Sequence, residues 1–241
     1  MVYIILAAGT GNRLHPITLK HPKTLFSLDG KTTILSRMVS LLRKLDSDGK
    51  IVIVCGFQHK LLKAQMPDSG IEWIYNPFYE VTNSLASLWF ARDYLDCEVT
   101  ILNGDIVMSE ELMQEVVTKP VDRPSVLMDS SITNGDYNVQ TDGETVIVMS
   151  KSLTTYSGEY AGVTKLDAAS AQELKSQLCE MVEDGRYTTW YEDALVQMIF
   201  ERNFRLFFQD ISQYDWTEVD SVDDLTFAKK IHLRDTSLLR S

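Results

Sequence analysis

The chain opens with M-V-Y-I-I-L-A-A-G-T-G-N-R-L-H-P-I-T-L-K-H-P-K-T-L, residues 1–25. Residues 2–7 form a short apolar run, which predicts a buried β-strand. The strand leads into a loop with glycines at Gly9 and Gly11, where a missing side chain lets a ligand approach the backbone closely. This stretch predicts a strand that ends in an anion-binding loop.

Polar groups in and after the loop support this interpretation. Backbone N–H groups of Thr10, Gly11 and Asn12 can face phosphate oxygens. The cations that follow are Arg13, Lys20 and Lys23. Two common glycine motifs are excluded, because the loop has no G-K-[ST] and Leu14 stands where G-x-G-x-x-G needs its third glycine.

Short apolar runs alternate with helical patterns in the first half of the chain. The predicted strands after the first are 50–55, 71–75 and 98–102. A helix with one apolar face is predicted from Ile34, Leu35, Met38, Leu41, Leu42 and Leu45. A second helix is predicted over 84–95, with Asn83 or Ser84 as its N-cap. Such alternation indicates a parallel sheet with helices on both faces.

The pattern changes after about residue 125. Asp142-Gly143 predicts a hairpin turn, and residues 158–167 predict another strand. Helices over 168–184 and 190–202, a strand over 205–211 and a helix from Val222 complete the predicted elements. No repeat or linker is visible, so residues 1–241 are predicted to form a single α/β domain with an antiparallel elaboration.

Composition excludes several classes of protein. The formal net charge is −11, which argues against a nucleic-acid-binding surface because duplex binding needs a basic face. Three widely spaced cysteines show no metal or disulfide pattern. The N-terminal run lacks a basic segment, and no stretch reaches the roughly 18 apolar residues that span a bilayer. We therefore expect a cytoplasmic protein without membrane insertion.

Two aspartates stand at predicted strand ends. Asp105 follows the strand 98–102 in N-G-D, at the edge where open α/β sheets bind ligands. Asp220 lies in W-T-E-V-D-S-V-D-D-L near the end of the chain. A turn residue is the alternative interpretation for Asp105, and a helix start with Asp or Ser as N-cap is the alternative for Asp220.

Residues 6–23 fill every fixed position of L-A-A-G-x-G-x-R-L-x-P-x-T-x-x-x-P-K. The chain thus resembles the sugar-nucleotidyltransferase superfamily. That resemblance implies a nucleotide-diphospho-sugar transferase fold, with a Rossmann-like, mostly parallel sheet flanked by helices and a small antiparallel elaboration. The nucleotide-binding residues it implies are Leu6, Ala7, Ala8, Gly9, Thr10, Gly11, Asn12, Arg13, Lys23 and Gly104.

The same resemblance implies roles for the charged residues. Arg13 would neutralise the β- and γ-phosphates and Lys23 would lie near the reacting phosphates, so both are predicted catalytic residues. Asp105 and Asp220 would hold the catalytic Mg²⁺. Magnesium needs only one or two carboxylates beside water and substrate phosphates, so two aspartates suffice.

Other segments indicate a branch of the superfamily. The E-K-P segment usual in glucose-1-phosphate-type enzymes is absent. N-P-F-Y-E-V-T-N-S-L-A-S-L-W at 76–89 and G-E-Y-A-G-V-T-K-L at 158–166 resemble small cytidylyltransferases instead. This resemblance predicts CMP transfer from CTP to phosphocholine, phosphoethanolamine, 2-aminoethylphosphonate or a related acceptor, with release of pyrophosphate.

The segment R-Y-T-T-W-Y-E-D at 186–193 fits no one acceptor-specific subgroup. The predicted acceptor-binding residues are Asn83, Trp190, Tyr191, Glu192 and Asp193, since a ring beside a carboxylate suits an ammonium group. Alternatively, Trp190 and its neighbours form the apolar face of a helix.

Two other functions stay open: a hexose-1-phosphate nucleotidyltransferase that uses UTP, dTTP or GTP, and a catalytically silent regulatory subunit of the same fold. The sequence does not indicate the oligomeric state, and a homodimer is possible.

Overall fold

The computed structural model describes residues 1–11, 18, 21–66 and 70–238. Most strands join one nine-stranded sheet of order β3-β2-β1-β4-β9-β6-β10-β8-β7. The strands of this sheet are β1 (Val2–Ala7), β2 (Lys50–Cys55), β3 (Ile71–Tyr75), β4 (Val99–Asn103), β6 (Ser125–Asp129), β7 (Asn138–Asp142), β8 (Thr145–Ser150), β9 (Gly158–Leu166) and β10 (Phe207–Asp210). A separate two-stranded sheet contains β5 (Ile106–Met108) and β11 (Trp216–Glu218).

Helices cover the sheet on both faces. They are α1 (Ile34–Leu45), α2 (His59–Gln65), α3 (Ser84–Phe90), α4 (Glu110–Leu112), α5 (Ala168–Glu183), α6 (Tyr191–Arg202) and α7 (Val222–Leu238). A 3₁₀ turn forms at Lys23–Leu25, and α4 continues as a π-helical turn over Met113–Val117.

The parallel half of the sheet is buried on both faces, which explains its uninterrupted apolar runs. Alternation along β1 sends neighbouring side chains into different cores. Ile4 packs in a core with α3, α5 and α6, whereas Ile5 packs in a second core with α1 and α2. Because β1 pairs in parallel with both β2 and β4, the carboxyl ends of all three strands meet at one edge.

The antiparallel part of the sheet begins inside it. Strand β9 pairs antiparallel with β4 on one side and β6 on the other. Strand β7 returns to pair with the first two residues of β9, Gly158 and Glu159. The strands β9, β6, β10, β8 and β7 therefore close into a ring of pairings. The predicted fold class is confirmed, with the antiparallel strand lying at the centre of the sheet.

Most predicted elements match the observed ones to within two residues at either end. The helix predicted over 84–95 is the exception, since α3 ends at Phe90 and a 3₁₀ turn follows at Arg92–Tyr94. The sequence patterns missed β5, β6, α2 and α4. Of these, β5 and α4 have three residues each, too few to show a period.

The cysteines Cys55, Cys97 and Cys179 are free. Within the described ranges, no helix has the length and apolar character needed to cross a bilayer.

Candidate active site

The glycine loop follows β1 at the carboxyl edge of the sheet. Gly11 has a left-handed backbone with φ +68°, which favours glycine. A Cβ on Gly11 would lie 3.1 Å from Thr18 Cγ2 and 3.4 Å from Lys23 Cβ. The Thr18 hydroxyl donates a hydrogen bond to the Gly11 carbonyl at 2.7 Å. The loop is thus packed against the segment that carries Lys23.

The implied nucleotide-binding residues divide by position. Leu6, Ala8 and Gly9 line one cavity, while Thr10, Gly11 and Lys23 line a neighbouring one. Ala7 is 4% exposed and belongs to the core. Gly104 lies behind the loop, where its N–H donates to the Leu6 carbonyl and an added Cβ would come within 2.7 Å of that oxygen. Its role is therefore close backbone packing. Asn12 and Arg13 lie outside the described residues.

The ribbon of β5 and β11 brings distant carboxylates together. Asp105 immediately precedes β5, and its carbonyl accepts a hydrogen bond from Val219 N at 3.0 Å. Glu218 ends β11, and Val219 is fully buried, so the alternating backbone turns Glu218 and Asp220 to the same side. One oxygen from each of Asp105, Glu218 and Asp220 lies within 4.8 Å of the others. This carboxylate cluster joins both predicted metal ligands and adds a third.

Lys23 is the cation of this cluster. Its Nζ lies 2.6 Å from Asp105 Oδ2 and 2.6 Å from Asp220 Oδ1. Burial alone lowers the pKa of Lys23, but Asp105 and Asp220 outweigh burial and hold the pKa above its usual range. The ammonium group is therefore charged at neutral pH. It can supply positive charge to a substrate but cannot act as a base.

The carboxylate cluster fits a hard divalent cation. Asp105 Oδ1 is buried and has no hydrogen-bond partner. Burial, together with the charges of Asp105 and Asp220, raises the pKa of Glu218 well above its usual range. Three carboxyl groups thus lie together, and Lys23 contacts two of them. Oxygen donors of this kind are the ligands that Mg²⁺ prefers.

A cavity of about 200 Å³ adjoins the cluster. Its walls are Leu6, Ala8, Gly9, Tyr79, Thr82, Asn83, Ser84, Ser87, Asn103, Asp105, Trp190 and Glu192. The loop before α3 is held against the start of α6, since Asn83 N donates to the Tyr187 carbonyl and Tyr191 N donates to Ser84 Oγ. We call this space the inner cavity. It brings the glycine loop, Asp105 and part of the predicted acceptor segment together.

Two of the predicted acceptor residues do not line this cavity. Tyr191 is fully buried in the core, and its hydroxyl bonds with those of Tyr160 and Thr164. Asp193 caps α6, where its Oδ2 accepts from Trp190 N at 3.1 Å. The Tyr191 hydroxyl is thus enclosed in the core, and one carboxylate oxygen of Asp193 is used by the helix cap.

The other three predicted acceptor residues do line the inner cavity. Asn83 also caps α3 by accepting from Ser84 N at 2.8 Å. Trp190 is 40% exposed and precedes α6, so it does not belong to the helix's apolar face. Glu192 is 4% exposed, and its Oε2 has no hydrogen-bond partner. Burial, with smaller contributions from Asp193 and Asp105, raises the pKa of Glu192 to about 8.

Sequence reasoning missed Glu218 and Lys151. Glu218 could have been found from the E-V-D spacing, because residues i and i+2 of a strand share a face. Lys151 follows β8, and its Nζ lies 2.7 Å from Asp136 Oδ2 and 5.1 Å from the centre of the Trp190 ring. Lys151 lines the same neighbouring cavity as Lys23 and Asp220. No sequence motif marks Lys151, because its place in this cavity depends on the three-dimensional fold.

Comparisons with known proteins give the class. A family model described as "Nucleotidyl transferase" matches residues 2–131, and the chain belongs to that family. The solved structure of CTP:phosphocholine cytidylyltransferase from Streptococcus pneumoniae shares the fold, with a TM-score of 0.76 and 20% identity, over 96% of this chain and 99% of that one.

Similarity to curated proteins narrows the class. Choline-phosphate cytidylyltransferase of Haemophilus influenzae is 26% identical over 92% of this chain and 93% of its own length. CMP-5'-(3-aminopropyl)phosphonate synthase of Streptomyces rubellomurinus is 28% identical over 48% of this chain and 19% of its own length. The resemblance to small cytidylyltransferases is confirmed by these matches.

Proposed function

We propose that this chain transfers CMP from CTP to a small phosphate or phosphonate monoester that carries an amine, and releases pyrophosphate. The observation that carries the proposal is the convergence of Asp105, Glu218 and Asp220 with Lys23 beside the glycine loop. The names of the similar proteins support CTP as the donor and an amine-bearing acceptor.

The carboxylate cluster would hold Mg²⁺. The unpartnered Asp105 Oδ1 and the close approach of three carboxyl oxygens support this assignment. Bound there, the metal would neutralise charge on the reacting phosphates. Asp105 and Asp220 would be the principal ligands, with Glu218 as the third.

The two cavities suggest how the nucleotide is placed. In the inner cavity, the backbone of Leu6, Ala8 and Gly9 beside the glycine loop suits a nucleoside, and Trp190 and Glu192 are left for the acceptor. Thr10 and Gly11 lie beside Lys23 in the neighbouring cavity, which suits the phosphates. Arg13 stays a predicted partner of the β- and γ-phosphates.

The acceptor's anionic group would lie between Lys23 and Lys151, with its amine directed past Trp190, which lines both cavities, into the inner cavity. An oxygen of its phosphate or phosphonate attacks the α-phosphorus, a new P–O bond forms, and the bond to the pyrophosphate oxygen breaks. Lys151 lines the cavity with Lys23 and provides a second cation for the acceptor's anionic group. Positioning and neutralisation of charge account for most of the rate in such transfers.

A pyrophosphate-release assay tests the proposal. The purified chain is incubated with Mg²⁺, each of CTP, UTP, GTP, ATP and dTTP, and a panel of phosphocholine, phosphoethanolamine, 2-aminoethylphosphonate and glucose 1-phosphate. We expect turnover with CTP and an amine-bearing acceptor. Preference for glucose 1-phosphate with another nucleotide would instead assign a hexose-1-phosphate nucleotidyltransferase. Absence of turnover with every pair would indicate a silent subunit.

A further inference from the structure

The inner cavity contains one charged side chain that the carboxylate cluster does not explain. Glu192 is 4% exposed, yet its Oε2 has no hydrogen-bond partner. Its neighbours in the chain are occupied elsewhere, with Tyr191 in the core and Asp193 capping α6. A buried carboxyl oxygen without a partner is costly and requires an explanation.

The charges of the inner cavity indicate what would pair with this carboxyl group. Its charged wall residues are Asp105 and Glu192, and none of its described wall residues is basic. Asp105 belongs to the carboxylate cluster and has Lys23 as its ion-pair partner. Among the described wall residues, none gives Glu192 Oε2 an N–H or a cation, and a substrate group in the cavity can supply one.

The aromatic groups of the cavity indicate the kind of cation. A quaternary ammonium has no N–H and is recognised by the open faces of several aromatic rings. The aromatic residues of the inner cavity are Tyr79 and Trp190. One face of Trp190 already has Lys151 Nζ 5.1 Å above its centre, and Tyr137 packs edge-on against the ring at 6.4 Å. The site therefore offers the Glu192 carboxyl oxygen as a hydrogen-bond acceptor, and its described wall residues do not form an open aromatic cage.

We infer that the acceptor carries a primary ammonium group, which donates an N–H hydrogen bond to the buried Glu192 carboxylate. The inference rests on the proposed function and narrows its acceptors to primary amines, such as phosphoethanolamine or an aminoalkylphosphonate. The trimethylated counterparts of these acceptors have no N–H to donate.

Matched acceptor pairs test the inference. kcat/KM is measured with CTP for phosphoethanolamine against phosphocholine, and for 2-aminoethylphosphonate against its N-trimethyl derivative. We expect the primary amine to be preferred by about tenfold or more in each pair, the range for a hydrogen bond to a charged group. Glu192→Gln should remove most of this preference by raising KM for the primary amine while leaving KM for CTP unchanged.

The control variant is Glu201→Gln, an exposed glutamate on the same helix, which should keep the wild-type preference. Equal or better use of the trimethylated acceptors by the wild-type chain overturns the inference, and this outcome does not depend on whether the variant folds. Glu192→Gln also overturns the inference if it changes the ratio of kcat/KM for CTP to that for UTP and leaves the acceptor preference unchanged. The carboxyl group would then contact the amino group of the base.

The proposed function can fail separately. If no nucleotide yields pyrophosphate with any acceptor, the proposed function is wrong. Titration calorimetry of the wild-type chain with phosphoethanolamine and phosphocholine then tests the inference alone. Tighter binding of phosphoethanolamine supports it, and equal or weaker binding overturns it.

Discussion

The carboxylate cluster and the segment 190–193 differ in how the fold arranges their residues. Asp105 and Asp220 are far apart in the chain, yet the pairing of β5 with β11 brings their side chains to one ammonium group. Trp190, Tyr191, Glu192 and Asp193 are consecutive, yet their side chains diverge into the cavity wall, the core and the helix cap.

The difference has a simple geometric cause. Successive residues on a helix turn by 100° each, so four consecutive side chains cannot share one target. Every second residue of a strand lies on the same face, and a paired strand adds its own residues to that face. Chemically suitable residues that are adjacent in sequence are therefore weaker evidence for a site than residues placed at matching strand ends.

The largest expected effect is at the carboxylate cluster. Asp105→Asn and Asp220→Asn keep the side-chain shape and remove one charge. Each should lower kcat by about a hundredfold to a thousandfold, because a preorganised charge at the reacting phosphates is lost. Steady-state kinetics across a Mg²⁺ titration measure the effect, and circular dichroism checks the fold. Near-normal turnover by Asp220→Asn at limiting Mg²⁺ would show that the metal site is misassigned.

Lys23 gives the next largest effect. Lys23→Ala removes the cation that lies 2.6 Å from both aspartates. Loss of this charge should cost on the order of 3 kcal/mol in the transition state, or about a hundredfold in kcat, with a smaller rise in KM for the nucleotide. Unchanged kcat with a raised nucleotide KM would instead identify Lys23 as a uniform binding contact.

The sequence predicted the parts of the fold whose pattern is local. The buried strands of the parallel half and the apolar face of α1 follow from hydrophobic runs and spacing alone. The ring of pairings around β9 does not follow from such local patterns, because it depends on the pairing of segments that are distant in the chain. β5 is too short to predict. A strand before Asp220 was predicted, but its pairing with β5 was not.

The candidate site was predictable to a similar extent. Lys23, Asp105 and Asp220 were reached through motifs at strand ends. Lys151 could not be found from sequence, since its position over Trp190 depends on how the turn after β8 folds back. Tyr191, a predicted acceptor residue, lies in the core. The sequence could not show this, because an aromatic residue beside acidic residues occurs both in pockets and in cores.

Glu192 should make the stability of the protein depend on pH. Burial raises its pKa from the ordinary value of 4.5 to about 8, with Asp193 and Asp105 acting in the same direction and Lys151 against it. The folded state then binds the proton more tightly than the unfolded state, so stability is full below about pH 4.5 and falls as pH rises toward 8. Glu192→Gln removes this loss.

Thermal or urea unfolding of wild type and Glu192→Gln at pH 5 and pH 8 measures the effect. The variant should gain stability relative to wild type on the order of 3 kcal/mol more at pH 8 than at pH 5. The difference between the two proteins isolates Glu192, because Asp193 titrates in both. An equal difference at both pH values would show that the Glu192 carboxyl group is solvated or already paired.

The smallest expected effect separates the two neighbours Trp190 and Tyr191. Trp190→Ala removes a partly exposed cavity wall and the ring beneath Lys151. It should raise KM for the acceptor by roughly tenfold, about 1–2 kcal/mol, and change KM for CTP little. Initial rates at saturating CTP and varied acceptor measure this change.

Tyr191→Phe is the matched control, because it removes only a hydroxyl from the neighbouring ring. That hydroxyl bonds with Thr164 and Tyr160 in the core. Its loss should lower the free energy of unfolding by about 1 kcal/mol and leave both KM values unchanged. If Tyr191→Phe raised the acceptor KM as much as Trp190→Ala, the core hydroxyl would be coupled to acceptor binding. The separation of a cavity residue, Trp190, from a core residue, Tyr191, would then not separate their functions.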